Sequence, residues 1–259
     1  MKRIFVFLLL MCASGAAQQK QHVLLAVFAH PDDESTVGPV LARYAREGDK
    51  VYVAIATKGE KGTNDRAKIP AGEALAKVRS NEAACACREL GIEAPILFGL
   101  SDGELGAIAN PLGRDIQEVA DRVEKLISEL HPDVVVTWGP DGGYGHPDHR
   151  LVSDAVTQVI QSSKANVKLY YVGFSPEQLR LVNEIWPMKW HGTDPAYLTV
   201  NVPFSKNDEA AFHRALECHK SQFSQGEAKK FENALDQGWN GRVSFRPWFE
   251  DHRSDDLFK

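Results

Sequence analysis

The chain has 259 residues, 43% hydrophobic and 25% charged, with a formal net charge of -5. That is a globular profile, long enough to bury a substantial core. The mild acidity, with no run rich in lysine or arginine, argues against nucleic acid as a partner.

At the N-terminus Lys2 and Arg3 lead an apolar run from Ile4 to Cys12, and small residues follow from Ala13 to Ala17. This pattern predicts a secretory signal over residues 1–18, cleaved near Ala16 to Gln18 and too short to remain as a membrane span. A secreted or periplasmic mature chain is the expectation. Residues 19–259 read as one domain, because no internal repeat and no Pro-, Gly- or Ser-rich linker divides them. Of the cysteines outside the signal, Cys85 and Cys87 lie two apart on a predicted helix and diverge. Together with Cys218 they read as buried small hydrophobes, not as a disulfide framework.

Apolar runs then recur: "HVLLAVFA" from His22, "KVYVAIAT" from Lys50, "APILFGL" from Ala94, "DVVVTWG" from Asp133 and "KLYYVGF" from Lys168. Helical spacing separates them at roughly 36–47, 72–90, 112–130 and 148–163. The alternation predicts an α/β fold with a mostly parallel sheet between helical layers. Beyond about residue 175 the pattern weakens. "AYLTVNV" reads as a strand, "SKNDEAAFHRALECHKSQ" as a helix, and the aromatic-rich last thirty residues as irregular.

Two polar clusters stand at predicted strand ends. The first, "AHPDDE", follows the first strand and carries neither a G-x-G-x-x-G nor a Walker lysine. Its carboxylates repel a pyrophosphate and attract a divalent cation. His30 and Asp33, three apart around Pro31, can converge on one ion, while Asp32 points elsewhere and is free to take a proton from an activated water. The second cluster, "GGYGHPDHR", follows the strand at Asp133 and opens a helix at Pro147. His30, Asp33 and one histidine of the pair His146 and His149 make a two-nitrogen, one-oxygen set with an open position, as in catalytic zinc sites. Ferrous iron also suits such a set.

"AHPDDE" paired with a distant "HPDH" resembles the LmbE-like, PIG-L-type de-N-acetylases. "TKGEKG" from Thr57, "RSNEAACACRELGI" from Arg79 and "GLSDGEL" from Gly99 extend the resemblance over roughly residues 22–175. One departure is Ser101, where the family often carries proline. The resemblance implies a Rossmann-like three-layer sandwich, one zinc ion per chain, and hydrolysis of an acetamide on a small carbohydrate or glycolipid. By position it implies His30, Asp33 and His149 as ligands, Asp32 as general base, and His146 as the group that stabilises the oxyanion. A protonated His146 beside the metal is the expected source of positive charge there. Asp148 is expected either to orient an imidazole or simply to favour a helix N-terminus. Arg79, Asp102 and Tyr144 are expected substrate contacts. Rival readings keep the metal and cut sugar–thiol conjugates or phosphoesters, or dispense with catalysis in an exported metal- or sugar-binding protein. The oligomeric state, a homo-oligomer included, stays open.

Overall fold

The computed structural model describes residues 20–106, 114–163, 165–186, 188–249 and 252–259. The predicted signal over 1–18 lies outside them. Strand β1 (Val23–Phe28) is apolar at every position and lies inside the sheet, with a strand on either side. Its side chains alternate between two cores. Leu24, Ala26 and Phe28 enter one, and Leu25, Val27 and Ala29 the other. A strand buried on both faces needs no polar alternation, which is why its sequence is a continuous apolar run.

The chain continues through α1 (Gly38–Glu47), β2 (Lys50–Thr57), α2 (Glu73–Leu90), β3 (Ile96–Leu100), α3 (Arg114–Leu130), β4 (Val134–Thr137), α4 (Pro147–Ser162) and β5 (Lys168–Gly173). These strands are mutually parallel, as the alternating pattern predicts. The remainder forms α5 (Arg180–Ile185), β6 (Val200–Pro203), α6 (Lys206–Leu216), α7 (Gln225–Trp239) and β7 (Arg242–Pro247). The sheet order is β3-β2-β1-β4-β5-β7-β6, with β7 antiparallel to both neighbours. Helices α3 and α4 cover one face, and α1, α2, α6 and α7 the other, so the fold is the expected three-layer α/β sandwich.

The C-terminal region departs from the sequence reading. Helix α6 stops at Leu216 instead of running on to Gln222, and the last thirty residues, read as irregular, hold most of α7 and all of β7. The cysteine reading is also corrected. Cys85 and Cys218 form a disulfide across 133 positions, and among the described residues Cys87 alone is a free buried thiol. Weighing Cys85 only against its helical neighbour Cys87 hides the partner that packing of α2 against α6 brings within a Cα separation of 5.8 Å. Among the described residues no helix is long and apolar enough to cross a membrane.

The chain leaves β1 toward β2 and β3 on one side, and resumes at β4 and β5 on the other. The ends of β1 and β4 therefore flank the point where strand order reverses, the place where open α/β sheets form a crevice. Both polar clusters emerge there.

Candidate active site

The first turn is built on β1. After Ala29 the chain bends through His30, Pro31 and Asp32 into a 3-10 turn at Asp33–Thr36. Asp33 Oδ2 accepts the backbone N–H groups of Ala29 and His30 at 3.0 and 2.9 Å, and the indole N–H of Trp138 at 3.1 Å. Its other oxygen, Oδ1, faces His149 Nε2 at 3.2 Å. Burial opposes the charge on Asp33, but His149 and His30 hold its carboxyl well below the usual carboxylate range.

The second turn is built on β4 and opens α4. Pro147 takes the first helical position, where a missing N–H costs nothing, and His146 caps the helix, its Nδ1 accepting the Asp148 N–H at 3.2 Å. His149 follows on the first turn, 1% exposed. Its Nδ1–H donates to Gly142 O at 3.1 Å, which turns Nε2 toward Asp33 and His30. Trp138, just past the end of β4, stacks flat on the same imidazole at 4.5 Å between ring centres.

His30 is fixed from the opposite side. Its Nε2 lies 3.1 Å from Asp102 and 3.3 Å from Asp148, whose Oδ2 also accepts the Gly103 N–H. With Nε2 engaged there, Nδ1 is the nitrogen that faces His149 Nε2, at 3.1 Å. Burial works against a charge on His30, yet Asp102 and Asp148, then Asp33, push its pKa up to about 10.

His149 Nε2 thus faces both His30 Nδ1 and Asp33 Oδ1, while His30 Nδ1 lies 3.9 Å from Asp33, at Oδ2. Side-chain donors also gather within 4.8 Å of one another as His30, His146 and His149, and as His30, Asp102 and Asp148. Without a cation, a proton on His30 Nδ1 bridges to His149, in keeping with the raised His30 pKa, and a divalent cation bound there would replace that proton. A tetrahedral zinc with bonds of about 2.0–2.1 Å separates its ligand atoms by about 3.3 Å, close to the 3.1 and 3.2 Å found here. Of the six sequence-predicted ligand and catalytic positions, His149 is the one whose ring nitrogen stands beside both His30 and Asp33.

Asp32 points away from that point, as its place beside Asp33 requires. Its φ is 103°, in the left-handed region, which costs a non-glycine residue on the order of 1–2 kcal/mol. Its carboxylate receives Arg79 Nη2 at 3.1 Å. Burial pushes the Asp32 carboxyl up to about 6, against the pull of Arg79. Arg79 is 4% exposed and also donates to the carbonyls of Pro31 and Gly59. The sequence reading aims Arg79 at the sugar; the structure aims it at Asp32. Gly59 and Gly62 of "TKGEKG" make room for it, since a Cβ at either would lie 2.2 or 2.4 Å from the pinned guanidinium.

Asp102, the other expected sugar contact near the third strand, is likewise engaged by protein. One oxygen faces His30 and the other accepts the Lys61 N–H at 2.7 Å, and although burial opposes it, His30 pulls its carboxyl to about 2. Asp148 orients an imidazole, but that of His30 across the two turns, not of its neighbours in sequence. Tyr144 packs edge-on to His146 and His149 and keeps its proton, burial raising its pKa. For His146 the expected protonated state is corrected. Burial first, then His30 and His149, push its pKa down to about 4, and its Nδ1 is already an acceptor. It is a neutral imidazole whose Nε2–H is the available donor.

Sequence reasoning leaves Trp138 unassigned, although its place one residue beyond a strand bearing the second cluster is a usable signal. It also passes over Glu34 and His219. Glu34, 2% exposed, accepts the Asp32 N–H at 3.0 Å and pairs with His219 at 2.6 Å. Nothing in the local sequence announces that pairing across 185 positions.

Comparison with known proteins identifies the family. The family model described as GlcNAc-PI de-N-acetylase, PIG-L, matches residues 25–160. A protein of Mycobacteroides abscessus named 1D-myo-inositol 2-acetamido-2-deoxy-alpha-D-glucopyranoside deacetylase is 39% identical over 165 residues, covering 57% of this chain and 59% of that one. A protein of the same name from Saccharomonospora viridis is 33% identical over 232 residues, covering 78% and 86%. This chain thus spans under two thirds of the length of the first relative and most of the second. The N,N'-diacetylchitobiose deacetylase of Pyrococcus horikoshii shares the fold, with a TM-score of 0.65 at 19% identity over 89% of this chain and 86% of its own. The chain belongs to the PIG-L family of GlcNAc-PI de-N-acetylases.

Proposed function

We propose that this protein is a metal-dependent N-deacetylase that removes an acetyl group from an N-acetylated amino sugar. The observation that carries the reading is His149 Nε2 set beside both His30 Nδ1 and Asp33 Oδ1, next to a separately held Asp32. Relatives named as deacetylases of an N-acetylglucosamine-inositol support the substrate class.

His30, Asp33 and His149 are the ligands for one divalent cation, taken here as zinc. When bound, that ion lowers the pKa of a water to about 7 and polarises the acetamide carbonyl. Asp32 accepts the proton of the attacking water. A carboxyl near pH 6 is basic enough to take it and acidic enough to return it to the leaving nitrogen. His146 donates its Nε2–H to the oxyanion of the tetrahedral intermediate as a neutral imidazole. Asp102 and Asp148 hold His30 through Nε2, so that with the cation bound Nδ1 would be the ligating nitrogen. Tyr144 remains the candidate for contact with the acetyl group, because it stands against both histidines of the second turn.

A binding protein has no use for a strained aspartate clamped by a buried arginine, and this favours catalysis over the non-enzymatic reading. Export is proposed as well. It rests on the signal-like N-terminus and on the Cys85–Cys218 disulfide, a bond that persists in oxidising compartments. The test is acetate release from a panel of N-acetylated sugars, including the N-acetylglucosamine-inositol of the relatives' name, with metal measured on the same sample. His149→Ala should lose both metal and acetate release; a fully metallated His149→Ala would overturn the ligand set.

A further inference from the structure

The segment Cys218–Gln222 lies nearly sixty residues beyond the stretch matched by the family model, yet it reaches back to the first turn. His219 is fully buried, and its Nε2 bonds Glu34 Oε1 at 2.6 Å. The second oxygen of Glu34 accepts the Asp32 N–H. Two residues on, Ser221 offers both its N–H and its hydroxyl to the buried Glu82 carboxylate, each at 2.7 Å. Glu82 stands one turn after Arg79 on α2, and Cys85 one turn further, where it is bonded to Cys218. Gln222 adds a bond to Gly62 O, in the loop packed on Arg79. The segment is therefore stitched to α2 covalently and by hydrogen bonds, and α2 and the segment grip the Asp32 residue from two sides. Arg79 takes its carboxylate, and His219, through Glu34, takes its backbone.

We infer that His219 is a positioning residue for Asp32: by holding Glu34 against the Asp32 amide, it keeps the Asp32 backbone in the left-handed conformation that aims its carboxylate. The inference rests on the reading of Asp32 as the base. A left-handed φ at a non-glycine residue persists only where surrounding contacts over-determine it. Here the contacts on the amide side are Glu34 and, behind it, His219. Glu34 alone would have a free rotamer choice. The His219 bond removes it, and the disulfide at the adjacent residue fixes where His219 stands.

The test compares His219→Leu, which fills the same space without a donor, with His219→Gln, which keeps an N–H for Glu34. Both are made in the parent and in an Asp32→Asn background. Melting temperature and metal content are recorded, with acetate release from N-acetylglucosamine-inositol and crystal structures of the variants. In the parent background, His219→Leu should keep one metal per chain and a KM within about threefold, and lose kcat by roughly 10–10²-fold, the scale of an ångström's misplacement. His219→Gln should recover most of that loss. In the Asp32→Asn background His219→Leu should cost nothing further, because the residue it positions is already disabled. In the crystal, His219→Leu should show Asp32 out of the left-handed region. Additive losses in the double variant, or an unmoved Asp32 in the His219→Leu crystal, would overturn the inference. If His219→Leu does not fold, a folded His219→Gln with parental metal but low kcat does so instead. If Asp32→Asn is as active as the parent, the base reading fails, and that result is separate from the position of Asp32 in the crystals.

Discussion

At the scale of single residues, the site works by giving each side chain one free face. Asp33 has one oxygen committed to two backbone amides and an indole, so only Oδ1 is left for a cation. Trp138 acts on two of the proposed ligands at once, as donor to Asp33 and as stacking partner of His149. Trp138→Phe keeps the stack and removes the donor, and calorimetric titration should show metal affinity falling by about 10–100-fold with the fold intact. Arg79 gives a test with a definite sign. Its charge lowers the Asp32 pKa, so its removal raises it. Since only the deprotonated base works, the acid limb of kcat/KM should move to higher pH in Arg79→Gln, by roughly one unit. Bound metal lowers the limb in parent and variant alike and leaves the difference. An acid limb that stays in place, or moves down, would separate Arg79 from Asp32.

At the scale of elements, the two turns were legible because each follows an apolar strand and each carries His-Pro-Asp. A buried parallel strand declares itself by composition, and a proline after a capping residue declares a helix start. Helix α7 was equally open to reading. Ser224 and Glu227 form a capping box, and Phe231, Leu235 and Trp239 repeat every four residues, a helical period set within an aromatic-rich stretch. What the sequence withholds is pairing at long range. His219 with Glu34 and Cys85 with Cys218 depend on how α2 and α6 pack, and no local pattern encodes that. The disulfide closes a loop of 133 residues, a length for which chain-entropy reasoning gives roughly 2–5 kcal/mol. Cys85→Ala should therefore lower the melting temperature by on the order of 5–15 °C. A melting curve unchanged in Cys85→Ala, under non-reducing conditions, would show that packing alone holds α2 to the segment after α6.

At the scale of the whole molecule, the sheet order explains why residues separated by more than a hundred positions meet. Reversal of strand order between β1 and β4 places two strand ends side by side with no strand between them, and the turns that leave those ends face one crevice. The matched family region supplies both turns and the helix that carries Arg79. The C-terminal third supplies the antiparallel strand, two covering helices and the segment that reaches Asp32. The central claim is the division of labour inside "AHPDDE": His30 and Asp33 hold the ion, and Asp32 moves the proton. The most direct measurement is metal content and acetate release on one preparation of Asp32→Asn, beside the parent. The division predicts one metal per chain in both, with turnover lower in the variant by roughly 10²–10⁴. Turnover equal to the parent, or loss of the metal with Asp32, would contradict it.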